Sequence, residues 1–528
     1  MRTFILLAII LLLACLSRFF HFQTLPGEWF GDISNVHEYT QQVLTGVWPF
    51  YFFQSPGPLY HYAIAPIAYL YRNHGYETYK LASIIISLLG LFTTYLFVRE
   101  LVNRRLALIT SAVMAVSYVY LIWSRLGNSQ IIIPALSSFM GYSLIRYAKS
   151  RKLRWGIIGA VCASLGWYTY PQTFIFPFAY IPVFTVIWIK NSRTNRTKDS
   201  RLSKHSISSF RPHLNLVWHL PVVVLILFLL IIPFIFIVRS QPDNFGPKGY
   251  VGEKVVPGLS LSPIVIVNRT LERYGKIITM LHVRGDDTFR INVKNHPHLD
   301  TISGLLLFGG LLFFLSRKRR SAGLFILWML IVLPLPSISP AVLESEIPNT
   351  GRTIALLPYI YLLVSAGFLW IYDKSTGLFK INQWYAVGFL TFVFAALVYE
   401  NLILYFVSYR DGLPDNNLAP GRLIARYVDA LPPEINLYFS SCCWGQWGAP
   451  DPKGVAYNLH AIRYSDFSVQ IKGCSEITHF PALVMTDPKR DDLLDTFQAC
   501  SPNTEVRELR NGDGTLISKF VLVRQVAL

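Results

Sequence analysis

The chain has 528 residues, of which 52% are hydrophobic and 15% carry charge. A soluble protein of that length needs more charge to cover its surface, so a bilayer is the solvent for much of it. The 48 basic residues outnumber the 30 acidic ones for a formal net charge of +18, but the excess lies in short clusters between apolar runs, which encodes membrane topology and argues against nucleic acid as a partner.

Apolar runs recur at 4–16, 81–98, 106–123, 131–145, 155–167, 173–189, 217–238, 301–315, 324–335, 354–371 and 384–406, which predicts about eleven transmembrane helices. The run at 217–238 has 22 residues without a formal charge, enough to cross about 30 Å of hydrocarbon. The first run reads as an uncleaved span. A lipoprotein-like cleavage box at Leu12-Leu13-Ala14-Cys15 and a signal-peptide core are its alternatives. The stretch 57–71 suits either a short span or an aromatic helix lying in the interface.

Charge decides between these. With 57–71 lying flat, one set of connections holds 21 basic residues, among them Arg104, Arg105, Arg151 and Arg317 to Arg320. The opposite short connections hold Arg72, Arg125 and Arg352. Left out of that comparison is the loop 239–300, because long loops translocate largely regardless of charge. The positive-inside rule then predicts a multi-pass cell-membrane protein with its amino terminus cytoplasmic and its carboxyl terminus outside. The Ser/Arg/Lys-rich segment 190–213 reads as a disordered cytoplasmic loop that fixes topology near anionic membrane lipid.

Two domains follow: a membrane domain over 1–406 and a small extracytoplasmic α/β domain over 407–528. The second is predicted from strands at 435–439, 482–485 and 516–523 and helices at 422–431 and 491–497. It holds Cys442, Cys443, Cys474 and Cys500, which suit disulfides in an oxidising exterior and lack the paired CxxC spacing of a zinc site.

The first outer loop brings Trp29-Phe30-Gly31-Asp32 to the mouth of a span. A carboxylate beside aromatic anchors at the water–lipid boundary is placed to take a proton from a hydroxyl while a lipid-tailed substrate lies alongside. The same carboxylate is equally suited to cap a helix over 34–44.

Gly31-Asp32 is followed by Ser55-Pro56-Gly57-Pro58-Leu59-Tyr60-His61-Tyr62, Trp123-Ser124-Arg125 and Gly166-Trp167-Tyr168-Thr169-Tyr170-Pro171. Later come Gly285-Asp286, Arg290-Ile291-Asn292, Pro297-His298-Leu299-Asp300, and Gly351-Arg352-Thr353 with Pro358. In order and in shared outer placement these pieces, to about residue 406, resemble the dolichyl-phosphate-mannose protein mannosyltransferase family (glycosyltransferase family 39) and related bacterial C-type glycosyltransferases, including the lipid A aminoarabinose transferases. The resemblance implies an α-helical polytopic, C-type glycosyltransferase-like membrane fold. It also implies a cell-envelope enzyme that moves a sugar, with inversion, from a polyprenyl-phosphate donor to an extracytoplasmic acceptor: protein, lipid or glycan.

Asp32 matches the family base. Many relatives carry an acidic pair there, whereas Ile33 follows Asp32 here, so Glu38 and Asp286 both stay open as the second carboxylate. Arg125 and Arg352, each the lone arginine of a short outer connection, are candidates to hold the donor phosphate, and Arg290 is a further one. His37, Glu38, Tyr60, Tyr168, Tyr170 and Asp286 are the candidate substrate-binding residues. His37 and Glu38 beside Asp32 leave a divalent metal open without forming a ligand set, so no metal ligand is assigned and the cofactor is unknown. The alternatives are a transporter or flippase of lipid-linked saccharides, or an oligosaccharide ligase. A transporter needs ionisable or broken helices at the midplane, and the spans hold few such groups, His219 and Glu400 among them.

Overall fold

The computed structural model describes residues 2–29, 31–50, 57–71, 75–202, 216–245, 261–339, 342, 344–413, 417–440, 452–459, 470–487, 490–512 and 514–524. Every apolar run becomes helix. In chain order the main helices are α1 (Arg2–Phe19), α2 (Gly31–Leu44), α3 (Pro58–Tyr71), α4 (Tyr76–Leu101), α5 (Arg104–Val116), α6 (Tyr118–Arg125), α7 (Ile133–Ser150), α8 (Leu153–Leu165) and α9 (Phe176–Leu202). Then come α10 (His219–Ser240), α11 (Pro263–Met280), α12 (Thr301–Leu315), α13 (Arg320–Val332), α14 (Leu357–Gly377) and α15 (Gln383–Ile403). Among the described residues seven helical segments are long and apolar enough to cross a membrane, or eight when α5 and α6 count as one span bent by 64°; α1 and α12 are shorter apolar helices. The bend falls at Ser117, whose ψ of 128° leaves the helical region, ending α5 and opening α6.

Helix packing follows side-chain size. Between α12 and α14 the backbones close on each other: a methyl group on Gly310 would collide with the Leu363 carbonyl, and one on Gly367 with that of Leu306. Small residues permit this approach where apolar area alone gives no preference for protein over lipid. The segment containing α14 is accordingly central, 83% buried along its most apolar window, whereas α10 is 17% buried and exposes Leu225, Phe228 and Phe236.

Three buried cations pin one end of the bundle. Arg18 donates to the carbonyls of Ala14 and Ala115 at 2.9 and 3.1 Å, and Lys80 to those of Phe22 and Pro26 at 3.1 and 2.5 Å. Arg125 donates to those of Phe20, His21 and Leu25 at 2.6–2.7 Å. Carbonyl dipoles thus replace the water these charges lose, and the chain from Phe20 to Pro26 is held at its backbone.

The carboxyl-terminal part forms a four-stranded sheet in the order β1-β2-β4-β3, from β1 (Asn436–Phe439), β2 (Ala482–Thr486), β3 (Glu505–Arg510) and β4 (Leu516–Val523). β1 and β2 are parallel and the other two pairings antiparallel. Alternating side chains serve two faces. Leu437, Phe439, Leu483, Met485 and Phe520 pack with α16 (Pro420–Asp429) and α17 (Pro452–Asn458), while Tyr438, Val484 and Val521 pack with Phe497 of α18 (Asp491–Gln498). Cys474 and Cys500 form a disulfide with Cα atoms 5.4 Å apart; Cys442 and Cys443 lie outside the described residues, as does 203–213 of the loop expected to be disordered. Three of these elements go beyond the sequence reading: β3, α17, and α11 within the long 239–300 connection.

Candidate active site

Asp32 lies in the first turn of α2, inside the helix rather than ahead of it as a cap, where a negative charge meets the positive end of the helix dipole. Its neighbours fix its direction: Ile33 and Val36 are fully buried, and Trp29 donates from its indole nitrogen to Ser34 Oγ at 2.8 Å, so the opposite face of the helix carries Asp32 into the open. Asn128 Nδ2 donates to Asp32 Oδ2 at 3.4 Å. Asn128 is itself fixed, because its Oδ1 accepts the Ser129 amide at 2.7 Å in a turn entered through Gly127 at φ +78°.

Arg290 lies within electrostatic reach of this carboxylate. Burial lowers its pKa, and Asp32 is the strongest of the charges that oppose the shift, followed by Tyr409 and Asp286. The Tyr409 hydroxyl fixes the Arg290 backbone by donating to its carbonyl at 2.7 Å.

The loop that carries Arg290 is stitched to the segment around Thr350. Asp286, 1% exposed, accepts from the amides of Thr288 and Thr350, both at 2.9 Å. Burial raises its pKa and those hydrogen bonds pull the other way. Asn292 donates to the carbonyls of Asp286 and His296 at 3.0 and 2.8 Å, and Tyr118 to Asn292 Oδ1 at 3.0 Å. His298 meets Thr350 Oγ1 at 2.7 Å, and burial, assisted by His296, pulls its pKa down to about 3, so the ring is neutral at pH 7.

The other candidates have varied surroundings. Arg125 is fully buried and spends its guanidinium on three carbonyls, with the rings of Tyr405 and Phe406 5.3 and 5.9 Å away, so it orders the loop instead of facing a ligand. Arg352 is partly exposed and paired with Glu346. Both oxygens of Asp286 are engaged, as described. Tyr60 is fully buried between α3 and α4, its hydroxyl 3.2 Å from Ser83 Oγ. Tyr168 donates to the Leu230 carbonyl of α10, and Tyr170 is half-buried against the helical core.

His37 and Glu38 turn toward the carboxyl-terminal part. The His37 ring lies 4.1 Å from that of Tyr457, centroid to centroid, and its Nδ1 is 2.8 Å from the Tyr79 hydroxyl; Glu38 accepts from Lys453 at 2.7 Å. Further contacts join the same two regions. Glu28 accepts the Gly421 amide at 2.7 Å, Asn417 bridges Gly27 and Thr24, and Arg422 pairs with Glu77 at 2.9 Å. Among the described residues no three His, Cys, Asp or Glu side chains gather closely enough to hold a metal ion.

Asn128 escaped the sequence reading, although an Asn after Gly and before a polar turn is a recognisable local signal. Lys453 and Tyr457 carried no signal, because their contacts come from more than 400 residues away.

Residues 55–218 match the family model described as dolichyl-phosphate-mannose-protein mannosyltransferase. Among solved structures the chain is similar to ArnT from Cupriavidus metallidurans, bound to undecaprenyl phosphate (12% identity, TM-score 0.53) and in the apo state (12% identity, TM-score 0.54). Each comparison covers 98% of this chain and 97% of ArnT. No curated protein sequence matches the chain. The chain therefore has the fold of ArnT, and within it residues 55–218 carry the pattern of the dolichyl-phosphate-mannose-protein mannosyltransferase family.

Proposed function

We propose that this chain is an inverting membrane glycosyltransferase that moves a sugar from a polyprenyl-phosphate carrier to an acceptor hydroxyl outside the cytoplasm, with Asp32 as general base. The acceptor oxygen attacks the anomeric carbon from the face opposite the phosphate as Asp32 takes its proton. The anomeric carbon–oxygen bond to phosphate breaks, and the departing lipid phosphate gathers charge beside Arg290. Arg352 is a second cation for that phosphate if it exchanges Glu346 for it. The membrane domain, 1–406, has eleven spans with the amino terminus cytoplasmic, and the domain 407–528 stands outside. The observation that supports this reading is the exposed Asp32 carboxylate, met by Asn128 Nδ2 and within electrostatic reach of Arg290. The match over 55–218 and the fold shared with ArnT, solved with undecaprenyl phosphate bound, support the lipid-phosphate chemistry.

The test is Asp32→Asn in the full chain, followed as label leaving a polyprenyl-phosphate-sugar pool in membranes. A positioned general base contributes roughly 10²–10⁴-fold, so transfer falls by that factor while donor binding and expression stay unchanged. Transfer at the wild-type rate removes Asp32 from the role.

A further inference from the structure

Away from Asp32, α1 and α15 both pack on α5 and leave an apolar groove of about 540 Å³, lined by residues including Leu6, Ile10, Ile109, Ala112, Phe368 and Phe394. This is the size of a small-molecule site, typically about 300–1,000 Å³, and its wall is apolar except where Arg105, Tyr372 and Thr391 enter it. Arg105 is exposed, and among the described residues neither it nor Arg104 forms an ion pair. The nearby Asp373 pairs with Arg319 at 3.8 Å. The groove therefore offers an apolar channel that ends at a cation with no carboxylate of its own.

That combination selects one class of occupant. A neutral lipid leaves Arg105 without a counter-ion. A polyprenyl phosphate held by Arg290 has its charge on the α6 side of the bend, since the Arg290 loop meets Tyr118 at the start of α6 whereas Arg105 lies in the first turn of α5. We infer that the groove binds an acyl chain of an anionic glycerophospholipid whose headgroup phosphate pairs with Arg105. Guanidinium suits a phosphodiester because it is planar, weakly hydrated and a multiple donor, and basic pockets between membrane helices bind anionic headgroups on this basis. The bound lipid fills the space between α1 and α15 and ties both to α5.

The inference is tested on the full chain in mild detergent, by native mass spectrometry with phosphatidylglycerol, phosphatidylcholine and a polyprenyl phosphate as probes. Two variants at exposed positions accompany the wild type: Arg105→Gln removes the cation, and Thr391→Trp fills the groove. The wild type is expected to retain phosphatidylglycerol roughly fivefold over phosphatidylcholine, the discrimination that one cation near an anionic headgroup provides. Arg105→Gln abolishes that preference, and Thr391→Trp lowers retention of both phospholipids. Equal retention of the two by the wild type, a preference that survives Arg105→Gln, or undiminished retention by Thr391→Trp overturns the inference. So does displacement of bound phosphatidylglycerol by the polyprenyl phosphate, which assigns the groove to the donor.

Discussion

His298 makes the junction between the Arg290 loop and Thr350 acid-sensitive. In the fold the ring is neutral down to about pH 3, whereas its ordinary pKa is 6.5, so between those values the opened loop binds a proton that the closed loop does not. Stability is full above pH 6.5 and is lost as the pH falls. One unit below the ordinary value, at pH 5.5, the loss is about 1 kcal/mol, and at pH 4.5 about 3 kcal/mol. Asp286 acts in the opposite sense, because burial raises its pKa and acidification relieves its charge, so the imidazole must be isolated by comparison with a variant. His298→Gln keeps a partner for Thr350 Oγ1 and removes the titration. Hydrogen exchange over 285–300, corrected for the intrinsic pH dependence of amide exchange, should show the opening equilibrium of the wild type rising about tenfold between pH 7.5 and 5.5, with a shallower rise in the variant. Equal slopes in the two proteins would refute the assignment of acid sensitivity to this histidine.

Two other outcomes follow from packing and from topology. Gly310→Ala forces a methyl group onto the Leu363 carbonyl at the tightest helix contact, which should cost about 1–3 kcal/mol and lower the melting temperature of the full chain in micelles; an unchanged melt would show that α12 and α14 can separate at no cost. A reporter joined at His205 should read cytoplasmic and one at Ser501 extracytoplasmic, and a shared side for both would contradict the eleven-span arrangement.

The helices were legible because hydrocarbon leaves the chain little choice: a span must be apolar over most of its length, and that pattern survives in one dimension. Asp32 stands out in the sequence for a related reason, as an acidic residue near Trp29 in the connection after such a run. Arg125 shows where reading stops. A lone arginine at the end of an apolar run looks the same in sequence whether it meets a phosphate or, as here, three carbonyls from about 100 residues earlier. Asp286 and Tyr60 were equally ambiguous, since burial depends on elements folded over them later. Strand β3, Glu505–Arg510, alternates charge without an apolar face because it lies at the edge of its sheet, and α11 was masked by Arg269, Glu272, Arg273 and Lys276 within an amphipathic helix.

The tilted contact of Tyr457 with His37 ties the helix that bears Asp32 to α17, which packs on the carboxyl-terminal sheet. Trp29, His37 and Tyr79 form one wall of an aromatic box whose remaining side is Tyr457. Trimming the chain at residue 406 would therefore do more than delete an appendage: it would uncover that wall and release contacts that hold α2 in place.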